Sequence, residues 1–439
     1  MPPPEVETTE FKLTLIAEHA KRNKSMKFTS MAHLLNAEFL TDCFRRLNRN
    51  KATGIDYVTW YDYNRNLREN IERLVYRLKR KSFRPKPAKR VYISKSDGKK
   101  RPLGISAIEN KIVELGIKRI LEAIYEQDFS NQSYGFRPKR SCHQALKEVN
   151  QLITYNSTNH IVEADIKGFF DNVDHQKLTD FIKLRISDKS LLMLIEKFLK
   201  AGYVEDGLLV LSTEGTPQGS ILSPLLANVF LHYVLDVWFE KVVKKYTKGF
   251  CELIRYADDF ICTVQFKEDA VKIERALKNR FERYGLELHP EKSGRISFGK
   301  YEAQNAKDQK RRANVFNFLG FTHYCTTTRT GRFKVGRKTN KKKFSTKCKE
   351  MNVWLKENRH LPQWVLWEKL ASKLRGHYQY YGVSENSKSI SRFYHITIRN
   401  LHKWLNKRSQ RGKFTWQKLK DYLSYYPLPK PSIKCSFYT

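Results

Sequence analysis

The stretch CELIRYADDFICTVQF (251–266) has two apolar arms interrupted at the centre by adjacent carboxylates, Asp258 and Asp259. Apolar arms around a short polar centre predict a β-hairpin buried in a sheet. An unpaired carboxylate inside such a sheet costs several kcal/mol, so the acids belong at a sheet end, in a turn or beside a cation. Aspartate is common in turns, and Tyr-x-Asp-Asp alone carries little information. Side chains alternate across a strand. The two acids therefore point unequally at any shared ligand, and Asp258 is expected to be the full one.

A second acid-tipped strand decides what the pair is for. HIVEADIKGFFDNV predicts a buried strand ending at Asp165, followed by a turn and a helix. If this strand lies beside the hairpin, Asp165, Asp258 and Asp259 meet at one sheet end, where like charges repel and raise one another's pKa. Two divalent cations about 3.5–4 Å apart relieve that repulsion and clamp the attacking and leaving oxygens of an in-line phosphoryl displacement. Mg2+, hard and oxygen-seeking, suits such a site, with Mn2+ as a substitute.

The remaining periodicities place these strands in an α+β fold. Residues 1–90 read as polar helices, and RVYISKSDGKKRPLGIS as a strand with a basic turn at Ser96-Asp97-Gly98. AIENKIVELGIKRILEAIYEQ carries a helical stripe through Ile108, Ile112, Leu115, Ile120, Leu121 and Ile124. GLLVLSTEGTPQGS is a strand entering a Gly/Pro turn, and Pro224 opens a long apolar helix, SPLLANVFLHYVLDVWFEKVV. The hairpin, a helix at about 268–284 and a strand LELHPEKS follow. Helices mixed with mostly antiparallel strands predict a sheet covered on one face.

The charge identifies the partner class. The net charge is +38, and residues 300–359 hold 17 Lys/Arg against 4 Asp/Glu. Solvated faces mix both signs, so this imbalance points to a polyanion, with nucleic acid ahead of an anionic membrane. No run of about 18 apolar residues spans a bilayer. The acid-first N-terminus is not a signal peptide, so a cytoplasmic, nucleoid-type or organellar location is expected. Seven scattered cysteines form no C-x-x-C pair, which makes zinc and disulfides unexpected.

Six blocks in order, SKSDGKKRPLGI, ADIKGFFDNVDH, GTPQGSILSPLLAN, RYADDF, EKS and FLGF, resemble the reverse transcriptases encoded by group II introns, the intron maturases. The resemblance spans about residues 50–425. It implies a right-hand polymerase: an N-terminal extension and start of the fingers (1–90), fingers and palm (91–314), an α-helical thumb or maturase X domain (315–425) and a C-terminal tail (426–439). It implies Asp165 and Asp258 as metal-binding acids, Asp259 as the supporting third, and the Ile166 backbone carbonyl as a further ligand. Phe170 is similar to the steric gate against a ribonucleotide 2′-OH. Lys95 and Arg101 match residues that grasp the incoming triphosphate, by charge neutralisation and bidentate contact. Gln218 matches a residue at the nucleotide sugar and base. Gly219 has no side chain to block close approach of template or nucleotide, and Lys292 matches a lysine near the primer end. VFNFLGFTHY resembles the hairpin that grips the primer.

The implied activity is RNA-directed DNA synthesis from dNTPs, on an RNA template with a DNA or RNA primer, together with binding of intron RNA to assist splicing and mobility. Arginines beside aromatics in the last hundred residues suit stacking on unpaired bases. The chain departs from the family at Ser94 and Ser106, where proline is usual, at Ser220, where a second glycine is usual, and at GIDY (54–57). It carries no cysteine pairs of an HNH endonuclease, so it is not expected to cut target DNA by itself. Two alternatives stand beside this reading: an RNA-binding splicing cofactor without polymerase activity, and an intron-derived enzyme recruited to phage defence, a CRISPR array or a diversity-generating element.

Overall fold

The computed structural model describes residues 9–94, 100–408 and 414–438. Its strands are β1 (Ala88–Ser94), β2 (Lys100–Ile105), β3 (His160–Asp165), β4 (Tyr203–Glu205), β5 (Leu208–Val210), β6 (Cys251–Tyr256), β7 (Asp259–Val264), β8 (Gly294–Ser297), β9 (Val315–Phe318), β10 (Phe321–Thr327) and β11 (Phe333–Thr339). They form three sheets, ordered β2-β1-β4-β5, β6-β7-β3-β8 and β11-β10-β9. The α+β class holds. The turn predicted at Ser96-Asp97-Gly98, together with Lys95, lies outside the described residues.

The central sheet, β6-β7-β3-β8, is antiparallel throughout. Val162, Ala164, Phe260, Cys262 and Val264 enter one apolar core, shared with helices Ile108–Tyr125, Ser223–Leu231 and Lys267–Arg283. Ile161, Ile254 and Ile261 enter a second core on the opposite face. The sheet is therefore covered on both faces, which corrects the one-sided expectation. The second cover is helix Cys142–Tyr155, whose Ala145, Leu146, Val149, Leu152 and Ile153 are buried there. The nearly unbroken apolar run of β7 fits a strand buried on both sides.

Two further expectations change. LELHPEKS is not a strand: Leu288 makes one bridge to Ile166, Pro290–Lys292 forms a 3-10 turn, and β8 starts only at Gly294. Proline cannot donate to a ladder, so pairing resumes beyond it. The long apolar helix is regular only from Ser223 to Leu231 and then widens into π-helical turns at His232–Asp236 and Phe239–Val243.

The N-terminal helices Thr9–Arg22, Ala37–Arg46 and Leu67–Lys79 bury residues in the first core. Beyond β11, helices Lys341–Asn358, Gln363–Tyr381, Ser387–Leu405 and Trp416–Tyr425 build the second. Leu428 and Phe437 join that core, and Cys435 bridges to Val383. The seven cysteines are free, and no described helix is long and apolar enough to cross a membrane.

Candidate active site

Strand register assembles the acids. β3 ends at Asp165, β7 begins at Asp259, and the two residues are direct partners. Tyr256 pairs with Asp259 across the hairpin, which leaves Ala257 and Asp258 as its two-residue loop. Ala257 adopts φ +59, a left-handed conformation costly for a residue with a Cβ.

A buried network holds this loop in place. Arg255 lies inside β6, fully buried, and grips Asp236 through Nε at 2.8 Å and Nη2 at 2.6 Å. Its Nη1 donates to Asn228 Oδ1 at 2.9 Å and to the Ala257 carbonyl at 3.0 Å. Asn228 donates onward to the Gly135 carbonyl at 2.8 Å. Any Cβ at Gly135 would stand 2.2 Å from the Ala257 nitrogen, so the loop rests against bare backbone. Sequence reasoning missed Arg255, Asp236, Asn228 and Gly135. The available signal was an arginine in an apolar strand and an aspartate in an apolar helix, two charges that fold stably only as a pair.

The three acids are held differently. Lys292, at the end of the 3-10 turn, places Nζ 2.5 Å from Asp165 Oδ2. Burial raises the Asp258 pKa, the Asp165 charge raises it further, and Arg101 and Arg255 oppose the rise. Burial, Asp258 and Asp165 push Asp259 up to about 7, against a hydrogen bond donated by the Leu319 backbone N–H. Glu163, also on β3, is pushed up to about 7 by burial and accepts from the Asn317 N–H at 2.9 Å. Asp259 and Glu163 thus hold the tip of the β9–β10 hairpin. Among the described residues no group of three or more His, Cys, Asp or Glu is arranged to hold a metal ion as the side chains stand.

Of the residues expected to face a nucleotide, Arg101, Ile166, Phe170, Gln218 and Gly219 are described and lie near these acids. Beyond Asp165 the chain is pinned to the 287–289 segment: His289 N–H donates to the Asp165 carbonyl and Lys167 N–H to the Glu287 carbonyl, both at 2.8 Å, with buried Ile166 between them. Gly168 turns the chain at φ +58 into Phe169–Asp171. Phe169 is a core residue. The half-buried Phe170 ring meets Phe136 edge-on at 6.4 Å and Phe169 at 5.4 Å. The Phe170 carbonyl accepts from Thr216 N–H at 2.6 Å, bringing the TPQGS turn alongside.

That turn is locked to the strand bearing Arg101. Arg101 Nε donates to Gln218 Oε1 at 3.0 Å, and Gln218 Nε2 donates to both Asp171 oxygens at 3.1 and 3.2 Å. Gly104 N–H donates to the Gln218 carbonyl at 2.6 Å. Gly219 sits at φ +111, and a Cβ there would stand 2.3 Å from the Gly104 carbonyl. The glycine at 219 thus allows the close approach of the Gly104 carbonyl of β2. Phe170, Asp171, Thr216, Gln218 and Gly104 line an open cavity of about 240 Å³. Asp171, which orients Gln218, is another residue the sequence reading passed over, although it lies within the ADIKGFFDN block.

Asp165, Asp258 and the Ile166 carbonyl offer an all-oxygen donor set that fits a hard divalent cation. The ammonium of Lys292 on Asp165 marks a position where positive charge is accommodated. The mutual repulsion of Asp165, Asp258 and Asp259 points the same way.

Residues 93–323 match the family described as reverse transcriptase (RNA-dependent DNA polymerase). Among individual proteins, the group II intron-encoded protein LtrA of Lactococcus lactis is 40% identical over 222 residues, 50% of this chain and 37% of LtrA. Protein YkfC of Escherichia coli is 36% identical over 224 residues, 49% of this chain and 59% of YkfC. A 91 kDa protein in the cob intron of Schizosaccharomyces pombe is 39% identical over 176 residues, 40% of this chain and 21% of that protein. The alignments thus span less than two thirds of each relative's length. With just over half of its 439 residues inside the family match, and with the acids of β3 and the β6–β7 hairpin joined at one sheet end, the chain belongs to the reverse transcriptase family and is similar to the proteins encoded by group II introns.

Proposed function

We propose that this chain is an RNA-directed DNA polymerase of the group II intron type. The observation that carries the reading is the pairing of Asp165 with Asp259, with Asp258 in the adjoining loop and the cavity of Phe170 and Gln218 close by. Asp165 and Asp258, with the Ile166 carbonyl, would hold two Mg2+ ions, with Asp259 in support. Such ions supply charge neutralisation at the attacking and leaving oxygens. The primer 3′-OH gives up its proton to solvent as its oxygen bonds to the α-phosphorus of a dNTP, the bond from that phosphorus to the oxygen bridging to the β-phosphate breaks, and pyrophosphate leaves.

The chain's own residues orient the reactants. Arg101 and Lys95 receive the triphosphate, and Gln218, held by Arg101 and Asp171, forms the wall at the sugar and base. The Phe170 ring excludes a 2′-OH. Lys292 presents its ammonium toward the primer end.

The substrate set is an RNA template, a DNA or RNA primer and dNTPs. Intron RNA is the proposed partner of the region from 315 to 425, read as the thumb, and splicing assistance its consequence. Helix Ser387–Leu405 supports this by placing Lys388, Arg392, His395 and Arg399 along one exposed face. The test is extension of a DNA primer on an RNA template with dNTPs and Mg2+, with Asp258→Ala as control. Absence of wild-type synthesis alongside retained RNA binding would favour the splicing-cofactor reading.

A further inference from the structure

The helical region beyond β11 contains a cavity of about 410 Å³, within the usual range for a small-molecule site. It lies between helices Lys341–Asn358, Gln363–Tyr381 and Ser387–Leu405. Trp354, His377, Tyr380 and Phe393 supply its rings. Space is open above Gly376, where an added Cβ would meet nothing within 4 Å.

Its polar groups are few. His377 is 9% exposed, stacks on Phe393 at 3.7 Å, and its Nε2 is buried without a hydrogen-bond partner. Burial holds the ring neutral at physiological pH, with a pKa pushed down to about 4. The Lys347 ammonium is taken by Glu350 at 2.7 Å, and the Lys373 ammonium lies over the Trp354 ring at 4.9 Å. With one cation neutralised and the other on a ring, the site recognises a flat ring ahead of a bare anion.

We infer that this cavity receives a single unstacked base of a bound RNA, held against its aromatic walls. The inference rests on the RNA-binding reading above. The surrounding positive charge supplies the phosphate attraction that brings the strand there: residues 300–359 carry 17 Lys/Arg against 4 Asp/Glu. Aromatic and histidine rings in a basic surface are how unpaired bases are captured. Tyr380 is unsuited to testing this, because its hydroxyl also donates to the Leu319 carbonyl of the β9–β10 hairpin at 3.0 Å.

The test uses the full chain with an unstructured oligouridine of about twelve nucleotides carrying one photoreactive thiouridine. Crosslinks are expected on peptides bearing Trp354 or the 373–381 segment. Gly376→Leu, which fills the opening, and Trp354→Ala, which removes a ring from the wall, should each weaken binding about tenfold. The slope of affinity against salt should not change, since no phosphate contact is lost. Wild-type binding without crosslinks at the cavity, or unaltered binding by both variants with normal thermal melts, would overturn the base-pocket inference alone. Absence of wild-type RNA binding would overturn the RNA-binding reading and the pocket with it. If Gly376→Leu fails to fold, the crosslinks and Trp354→Ala decide.

Discussion

Arg255 and Asp236 form a bidentate ion pair, at 2.8 and 2.6 Å, with both side chains almost wholly shielded from water. Removing one partner of such a pair strands the other charge in the interior. Arg255→Met should therefore destabilise the protein by about 3–5 kcal/mol. Urea unfolding measures this, and an unchanged midpoint would contradict the role assigned to the pair.

His232 packs beside the same pair, its Nδ1 4.0 Å from Asp236 Oδ2. Burial pushes its pKa down to about 4; the Asp236 charge opposes the shift and Arg255 reinforces it. Between that value and the ordinary 6.5 the unfolded chain binds a proton that the folded chain refuses, so stability falls as pH drops through this window. The loss amounts to at most about 3 kcal/mol. His232→Phe should flatten the dependence of unfolding free energy on pH between about 6.5 and 4; an unaltered slope would assign the acid sensitivity elsewhere.

The acids of the hairpin should respond unequally. Asp258→Ala should reduce primer extension by orders of magnitude with RNA affinity nearly unchanged. Asp259→Asn keeps an oxygen for the Leu319 N–H, so it should lose less activity than Asp259→Ala. Single-turnover incorporation by the three variants separates these outcomes, and equal losses would remove the distinction.

Phe170→Ala should admit ribonucleotides, because the ring that borders the Gln218 cavity is then gone. The measurement is the ratio of kcat/KM for dNTP and rNTP on one template. A ratio unaffected by the change would leave Phe170 as a packing residue against Phe136 and Phe169.

RNA affinity should fall steeply between about 50 and 200 mM salt, as each neutralised phosphate releases counterions. Replacing Arg392 and Arg399 together should lower the slope of that plot as well as the affinity. A flat profile in the wild-type protein would exclude this basic helix face as the RNA surface.

Much of the site was legible because its signals were local. An apolar hairpin, an acid at a strand end and a Gly/Pro turn each follow from periodicity and turn chemistry. Register then aligned Asp165 with Asp259 as the strand pattern required. What escaped depended on long-range packing. The lone charges of Arg255 and Asp236 each signalled the need for a partner, but only the packing of helix on strand joins them and brings in Asn228. Gly219 was legible as a special backbone position but not for its actual neighbour, the Gly104 carbonyl. The second cover of the central sheet was hidden because a helix stripe says that a face is buried, without saying against what.

The hairpin tip at 317–319 hangs from two carboxylates, Glu163 on β3 and Asp259 on β7, through backbone N–H groups that only a proline would remove. Both strands end at the acids proposed for chemistry, so the hairpin cannot tilt without straining those strand ends. The hairpin and the acid-bearing strand ends are thereby mechanically one piece, so a displacement of the tip is transmitted to Asp165 and Asp259.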